Sequence, residues 1–334
     1  MKDVASAAGV SKALVSIVFR GAPGASEATR EHVFKVAADL GYRANRTASL
    51  LKLRRTKHLG VTMQVRSSFH AELVEAIQEA ADDAGYKIVL STVTPTHDEQ
   101  RAVETLLEFR CESLILLGSG LPGPSLDALA RTLPVVLVGR RAGLATLDVV
   151  RSADDVGQQR AVDHLVQQGH TRIAHVDGGR GVISADRRRG YRTAMRRHRL
   201  GPQAVILPGG PTEQDGWQAA GELLGLDPVP TAVTAFNDQC ALGVISRLST
   251  VGWSVPADFS VTGYDDAPFA RLATVDLTTV SQDAAAQSRR AVRAAVERLE
   301  GLREQPDETV LMPRLVVRGT TGPAPTSARG ARAR

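Results

Sequence analysis

The stretch Val4-Ala-Ser-Ala-Ala-Gly-Val-Ser-Lys-Ala-Leu-Val-Ser-Ile-Val18 predicts two short helices joined by a tight turn. Ala5 is small where a second helix must approach the first closely, and Gly9 stands where the turn needs a residue that tolerates positive φ. Ser11 can cap the second helix with its hydroxyl group. The apolar residues that can then close a small core are Val10, Val15 and Val18.

The outward face of the second helix fits a recognition helix that lies in the major groove of DNA. The residues on this face are Ser11, Lys12, Ala13, Ser16 and Ile17. An ordinary helical hairpin at a protein surface would have the same pattern. The rest of the chain therefore has to distinguish a DNA-reading helix from a surface hairpin.

Positive charge is concentrated in the first part of the 334-residue chain. Residues 1–58 hold eleven Lys and Arg against four Asp and Glu, a net charge of +7, whereas the whole chain carries +5 and the remainder therefore −2. A basic unit on a mildly acidic body indicates a polyanionic partner for the first unit alone. A solvated basic face is the alternative. A chain of this length also predicts two or three folded units.

Cysteine content and hydropathy exclude several classes of protein. Cys111 and Cys240 lie far apart and outside any Cys/His cluster, which argues against a disulfide framework or a metal site and fits a reducing compartment. No apolar run approaches membrane-spanning length, and no signal peptide is recognisable. We expect a cytoplasmic protein with no membrane partner. Residues 320–334 are of low complexity and basic, and we expect a disordered tail there.

A third helix is predicted after the first two, with Ser26 as its N-cap, Glu27 in its first turn and Gly41 at its end. Its apolar stripe is Val33, Val36, Ala37 and Leu40. Together the three helices predict a compact headpiece over residues 1–44. Residues 45–58 form a linker, rich in Arg and Lys, with helical potential.

From Leu59 onward, apolar runs alternate with helical stretches, which is typical of parallel sheets with helices on both faces. The predicted strands are Leu59–Val65, Lys87–Val93, Leu114–Gly118 and Val135–Gly139, then Arg172–Val176, Ala204–Leu207, Ala232–Phe236 and Ser260–Gly263. The predicted helices include Ala71–Ala84, Glu99–Phe109, Val156–Gln168, Asp186–His198 and Gln239–Val251. Two similar series predict two similar lobes. Ligands bind such sheets beyond the carboxyl ends of the strands, where Asn237 and Asp265 stand.

The segment 118–123 matches the G-x-G-x-x-G pattern of dinucleotide sites, but the surrounding sequence does not fit a dinucleotide site. It follows the third strand rather than the first, Pro122 crowds the turn, and no acid lies about twenty residues further on. The chain also has no metal-ligand spacing and no Gly-x-Ser-x-Gly elbow. We therefore expect no cofactor, no metal and no enzymatic activity.

Taken together, these motifs resemble the lac repressor (LacI/GalR) family of bacterial transcription regulators from Lys2 to about Gly319. In the headpiece, the family-like stretches are Asp3-Val-Ala5, Ala8-Gly-Val-Ser11, Ser26-Glu-Ala-Thr-Arg30 and Gly41-Tyr-Arg-Ala-Asn45. In the body they include Gly169-His-Thr-Arg-Ile173, Phe236-Asn-Asp238, Gly263-Tyr-Asp-Asp266 and Leu277-Thr-Thr-Val280. Each is weak alone, whereas their order and spacing are specific.

The resemblance implies a helix-turn-helix headpiece (1–44), a hinge helix (45–58) and a two-lobed α/β periplasmic-binding-protein-like (type I) domain (59–319). Lobe one is expected over 59–150 and 282–306, and lobe two over 151–280 and 307–319. The chain is expected to cross between the lobes near Val150, Ser281 and Asp307. The family also implies a homodimer on a near-palindromic DNA operator.

DNA-binding roles carry over from the family to twelve positions. Phosphate contacts that set the register without reading sequence fall on Ser26, Thr29, Tyr42 and Asn45. Base reading falls on Lys12, Ala13, Ser16 and Ile17 of the second helix, and Ser11 and Leu14 of the same helix are further DNA-binding candidates. In the hinge, Leu51 takes the place of a leucine wedged into the minor groove and Ala48 packs between two hinge helices. Packing of the hinge leucines against the body is the alternative.

Two departures from the family affect these roles. The family usually has Arg where Ile17 stands, and Ile offers only apolar contact, for instance to a thymine methyl group. We therefore expect an altered half-site. Ala44 replaces the usual proline before the hinge.

Effector binding in the family implies a sugar or related small molecule between the lobes. Arg187, Asn237 and Asp265 match pocket residues, and Phe69 and His70 lie at the lobe-one edge of the same cleft. Carboxylate and amide groups bind sugar hydroxyls, and Arg adds a fixed fork of donors. The alternatives are helix capping for Asp265 and a surface ion pair for Arg187.

In the family, an aromatic residue often stacks on the ligand near the position of Pro211, so this flat apolar contact is either lost here or supplied by Trp217.

The resulting hypothesis is a transcriptional regulator, expected to be a repressor, whose operator affinity depends on an effector. Relief of repression by an inducer is the commoner arrangement, and a corepressor stays open. The alternatives are a solute-binding protein without regulatory activity and an NAD-dependent enzyme.

Overall fold

The computed structural model describes residues 2–19, 23–40 and 55–326. The chain divides into two compact units, Met1–Thr56 and Lys57–Arg334, and each is described by itself. Within the described residues, no helix combines the length and the apolar character needed to cross a membrane.

The first unit is a three-helix headpiece made of α1 (Lys2–Ala7), α2 (Lys12–Phe19) and α3 (Glu27–Asp39). Gly9 has φ +63° in the turn between α1 and α2, as that turn requires. The Ser11 hydroxyl accepts a hydrogen bond from the Leu14 amide at 3.1 Å, and Ser26 caps α3 by accepting from Thr29 at 3.2 Å. The buried core consists of Val4, Ala5, Ala8, Val15, Val18, Val33 and Ala37. The three predicted helices are confirmed.

Lobe one of the second unit contains a six-stranded, fully parallel sheet. Its strands are β1 (His58–Gln64), β2 (Lys87–Val93), β3 (Ser113–Leu117), β4 (Val135–Val138), β5 (Asp148–Ser152) and β11 (Glu308–Leu311), in the order β11-β5-β4-β3-β1-β2. Its helices are α4 (Ser68–Asp83), α5 (Glu99–Glu108), α6 (Gly123–Ala130) and α11 (Ala284–Leu299). Strands β3 and β4 are buried throughout, which explains their continuous apolar sequences.

Lobe two is built around a four-stranded parallel sheet. Its strands are β6 (Ile173–Val176), β7 (Val205–Leu207), β8 (Ala232–Thr234) and β9 (Ser260–Thr262), in the order β7-β6-β8-β9. Its helices are α7 (Asp154–Gln167), α8 (Val182–Arg197), α9 (Glu213–Leu224) and α10 (Asp238–Thr250). A two-stranded antiparallel sheet pairs β10 (Thr279–Ser281) with β12 (Arg314–Val316).

Helices α4 and α8 start three and four residues earlier than the apolar pattern indicated, and the change in α4 moves Phe69 and His70 onto the helix. Helix α4 begins at Ser68 because Ser67 accepts from the His70 amide at 3.2 Å, which places His70 in the first turn. Helix α8 begins at Val182, so Arg187 lies in its second turn rather than at its start. Since Gly181 has no side chain to make a capping bond, the start of α8 has no capping signal in the sequence.

The crossings between the lobes differ from those expected near Val150 and Asp307. Strand β5 continues to Ser152, and β11 pairs with it in parallel, with Glu308 opposite Val149. Residues 151–152 and 308–311 therefore lie in the sheet of lobe one. The last crossing falls between β11 and β12, because β12 pairs with β10.

The prediction of a disordered tail from residue 320 was wrong for residues 320–326. The Thr320 hydroxyl donates to the Val261 carbonyl at 2.8 Å, and the Ala324 amide donates to the Gln168 carbonyl at 2.8 Å. Because these bonds involve backbone and a hydroxyl group, they need no apolar side chains and leave no hydrophobic pattern. Residues 327–334 lie outside the described residues.

Helices α9 and α10 approach closely through two glycines. A Cβ atom at Gly216 would overlap the Cys240 carbonyl oxygen, and one at Gly243 would overlap the Glu213 carbonyl oxygen. The contact is reciprocal between backbones, so neither side can relax by moving a flexible side chain.

We expect Gly243→Ala to lower the free energy of unfolding by about 1–3 kcal/mol, since it forces the two helices apart. Gly221→Ala on α9 is the matched control, because nothing lies within 4 Å of its added Cβ. This control should be stabilising by up to about 1 kcal/mol, as alanine favours helix over glycine. Urea denaturation of both variants measures the difference, and equal stabilities would contradict the close helix contact.

Candidate functional site

The outward face of α2 has the exposure expected of a reading helix. Ser11, Lys12 and Ala13 are exposed, whereas Leu14, Ser16 and Ile17 are half-buried. Val15 and Val18 alternate with them and lie in the core. The headpiece core therefore fixes which side of α2 remains available, and the individual DNA contacts stay predictions.

Ser26 and Thr29 lie at the N-terminus of α3. Their hydroxyl oxygens are 2.7 Å apart, and Ser26 also caps the helix. The N-terminus of a helix favours phosphate because its free N–H groups and its dipole attract anions. This arrangement suits the predicted phosphate contacts. Four further DNA-binding candidates lie outside the described residues, namely Tyr42, Asn45, Ala48 and Leu51.

A cleft of about 640 Å³ lies in the second unit, lined by residues of both lobes. All five residues predicted to bind an effector line it, which are Phe69, His70, Arg187, Asn237 and Asp265. Its walls come from the segments that follow β1, β3, β4, β6, β8 and β9. The carboxyl ends of the strands thus form the cleft, as expected for parallel sheets.

Arg187 is the central charge of the lobe-two wall. It is 3% exposed, and its Nε donates to Asp154 at 3.0 Å while its Nη2 lies 3.7 Å from Asp265 Oδ1. Its guanidinium carbon lies 3.7 Å from the centre of the Tyr264 ring and 4.7 Å from that of Phe236. Burial lowers its pKa, but the two carboxylates outweigh burial and raise the pKa overall. The alternative of a surface ion pair is therefore wrong.

The Asp265 side chain is 9% exposed beside Arg187, and its backbone is left-handed, with φ +121°. Gln282 Nε2 donates to its Oδ1 at 2.6 Å. Burial raises the pKa of the carboxyl group to about 7, even though Arg187 and the Gln282 bond lower it. The side chain caps no helix, so the capping alternative does not apply to Asp265.

Helix capping is instead the role of Asn237. Its Oδ1 accepts from the Cys240 amide at 2.8 Å at the start of α10, and its Nδ2 donates to the Pro211 carbonyl at 3.0 Å. These two bonds fix which atom of the amide is oxygen. One N–H and one lone pair stay available for a ligand.

His70 is a neutral donor on the lobe-one side. The Gln64 amide donates to its Nδ1 at 3.1 Å, which assigns the proton to Nε2. Burial lowers the pKa of the imidazole to about 4. Gly118 allows the ring to lie close to the loop after β3, because a Cβ there would be 3.1 Å from Nε2.

Further residues line the cleft that were not predicted to bind the effector. They include Glu99, Ser119, Arg140, Ser184, Phe236 and Gln282. Ser119 and Arg140 follow β3 and β4, so the rule of carboxyl strand ends could have found them. Trp217 does not line the cleft, and Arg247 lies 5.2 Å from its ring centre. The aromatic residues that line the cleft are Phe69 and Phe236.

Side-chain contacts join the lobes across the cleft, including an ion pair of Arg141 with Asp155 at 3.6 Å. Arg141 Nε donates to Asp186 Oδ2 at 3.0 Å, and the Ser68 amide donates to Gln239 Oε1 at 3.2 Å. Within the described ranges, no group of three or more His, Cys, Asp or Glu side chains could hold a metal ion.

Comparison with known proteins places both units. Residues 1–45 match the family model of bacterial regulatory proteins of the lacI family, and residues 162–321 match a periplasmic binding protein-like domain. The transcriptional regulator GalR of Salmonella typhimurium is 34% identical over 326 residues, covering 95% of this chain and 94% of its own. The ribose operon repressor of Escherichia coli is 32% identical over 328 residues, covering 96% and 99%.

Two solved structures extend the comparison. A LacI transcriptional regulator from a Rhodococcus species has a TM-score of 0.78 and 44% identity, covering 80% of this chain and 99% of its own. The lac repressor dimer bound to operator and the anti-inducer ONPF has a TM-score of 0.80 and 28% identity, covering 96% and 98%.

Removing the Arg187 cation should destabilise the fold as well as the cleft. We expect Arg187→Met to lower the free energy of unfolding by about 3–5 kcal/mol, because Asp154 stays buried without its partner. Arg188→Met is the control, since Arg188 pairs with Asp177 where both groups are partly exposed. It should cost about 1 kcal/mol or less. Equal losses in urea denaturation would argue against a special role for the buried pair.

Proposed function

Because the chain belongs to the LacI family of bacterial transcriptional regulators, we propose that it represses transcription as a homodimer on a near-palindromic DNA operator. A small molecule bound in the cleft, which we propose is a sugar, controls the operator affinity. A reader of chromosomal DNA acts in the cytoplasm. The relatives are regulators rather than enzymes, and we assign no catalytic activity to the cleft.

The observation that carries this proposal is the presence of two sites in one chain. The headpiece presents Ser11, Lys12 and Ala13 on α2 over a closed core, and the second unit has a cleft lined by Arg187, Asn237 and Asp265. The exposed face of α2 suits DNA reading, and the polar groups of the cleft suit recognition of a polyhydroxy ligand. A solute-binding protein would have no use for the headpiece.

The polar groups of the cleft support a sugar as effector. Carboxylate and amide oxygens accept from hydroxyl groups, while the amide N–H and the His70 Nε2–H donate to them. Phe236 adds an apolar ring on the same wall. Among similar structures, the transcriptional regulator CelR is a complex with cellobiose, at 29% identity and TM-score 0.71.

The effector would act through the relative position of the two lobes. The bonds Arg141–Asp186 and Ser68–Gln239 span the cleft, so a ligand that changes its width must also change them. A ligand with different affinities for two arrangements shifts the balance between them. Coupling of this kind makes operator binding respond to the effector, and effector binding respond to the operator.

Selection of DNA from a random pool with the full chain tests the proposal. We expect a near-palindromic motif, and a several-fold change in affinity for it when D-galactose, D-glucose, D-ribose or cellobiose is added. Ile17→Arg should select guanine at one position of each half-site, because Arg can pair with guanine through two hydrogen bonds. Absence of any enriched motif would overturn the proposal, and an unchanged motif would remove Ile17 from the reading set.

Sugar affinity should depend on pH through Asp265, whose pKa burial raises to about 7. Below that pH the carboxyl group carries a proton, and above it both oxygens accept from ligand hydroxyls. We therefore expect affinity to rise about tenfold from pH 6 to pH 8 and then level off. Calorimetric titration of the full chain measures this, and Asp265→Asn should be weaker and independent of pH. A wild-type affinity that falls over this range would contradict the assignment.

A further inference from the structure

The loop 118–123 matches the dinucleotide pattern in sequence, and two charged side chains of lobe one form hydrogen bonds with its backbone. Glu99 Oε2 accepts from the Gly120 amide at 2.8 Å, and Arg140 Nη2 donates to the Leu121 carbonyl at 2.8 Å. Glu99 lies in the first turn of α5, and Arg140 follows β4. Because Gly120 and Leu121 are consecutive, the carboxylate and the guanidinium group bind the same short loop of the cleft wall.

Each of these side chains keeps one buried polar atom without a hydrogen-bond partner among the described residues. The two atoms are Glu99 Oε1, an acceptor, and Arg140 Nε, a donor. Both residues line the 640 Å³ cleft. A buried polar group without a partner costs about 1–3 kcal/mol, so leaving both this acceptor and this donor without a partner is costly.

The two side chains are electrostatically coupled without a direct ion pair in the part of the chain that the structure describes. Burial lowers the pKa of Arg140, and the negative charge of Glu99 partly opposes that change. A charge of either sign placed between them would be attracted by one group and repelled by the other. A neutral ligand group therefore fits this place better than a phosphate, a carboxylate or an ammonium group.

We propose that Glu99 and Arg140 form a subsite for one neutral hydroxyl group of the effector, on the lobe-one wall of the cleft. The hydroxyl oxygen accepts from Arg140 Nε–H, and its proton is donated to Glu99 Oε1. A hydroxyl group is both donor and acceptor, so it satisfies both orphan atoms at once. The subsite selects polyhydroxy ligands that carry a free hydroxyl at one defined ring position. This inference rests on the proposed sugar effector.

Monodeoxy sugars test the subsite. The parent sugar among D-galactose, D-glucose, D-ribose and cellobiose that binds the full chain most tightly is identified by calorimetry, and its monodeoxy analogues are then titrated. The wild type should lose about tenfold or more in affinity for the analogue that lacks the recognised hydroxyl group. Glu99→Gln should abolish this discrimination, because its amide oxygen can keep the Gly120 bond while its NH₂ group replaces the acceptor.

Two further variants separate recognition from loop structure. Arg140→Lys keeps the positive charge but removes the Nε donor, so it should also lose the discrimination. Glu104→Gln removes one negative charge from the exposed face of α5 and should discriminate like the wild type. A merely structural role for Glu99 would weaken the parent sugar and all analogues by the same factor.

The outcomes distinguish this inference from the proposal on which it rests. If no parent sugar binds, the sugar effector and the subsite both fail. If a parent sugar binds and Glu99→Gln keeps the wild-type pattern of discrimination, the subsite alone is overturned. Loss of discrimination at one ring position in Glu99→Gln and Arg140→Lys, with Glu104→Gln unchanged, supports it.

Discussion

The buried guanidinium group of Arg187 is the interaction on which the lobe-two wall of the cleft depends. It neutralises Asp154 at the start of α7, approaches Asp265 after β9, and lies against the rings of Tyr264 and Phe236. One cation thus ties together a helix start and two strand ends that come from distant parts of the chain. Since two buried carboxylates without it would be costly, the fold and the binding site share one electrostatic requirement.

The same wall is connected to lobe one through hydrogen bonds. Gln282 donates to Asp265, and the Gln282 carbonyl accepts from Gln287 Nε2 on α11, a helix of lobe one. A ligand that engages Asp265 therefore acts on a residue directly bonded to a crossing between the lobes. This chain of hydrogen bonds offers a route by which a ligand in the cleft can change the relative position of the two lobes. The bonds Arg141–Asp186 and Ser68–Gln239 connect the two lobes at other points of the cleft.

The sequence predicted local helices and strands well, but it did not predict side-chain contacts between distant segments. Hydrophobic period, capping residues and family resemblance predicted the three headpiece helices and eight of the twelve described strands, but not β5, β10, β11 and β12. They also predicted that one cleft brings together Phe69, His70, Arg187, Asn237 and Asp265. Glu99 and Arg140 were missed, because their relation depends on a loop that both contact and that lies far from each in sequence. The ordered segment 320–326 was missed as well, since backbone bonds leave no signature in composition.

By itself the sequence determined which residues occupy the strand ends and which face of α2 stays outside, because period and register are properties of a single segment. Only the tertiary structure decided the hydrogen-bond partners, the protonation and the burial of those residues. It made Asn237 the helix cap, neutralised the His70 ring, raised the pKa of Asp265 to about 7 and buried Arg187 among aromatic rings. Each of these outcomes depends on burial and on charges from other segments, which no single stretch of sequence contains.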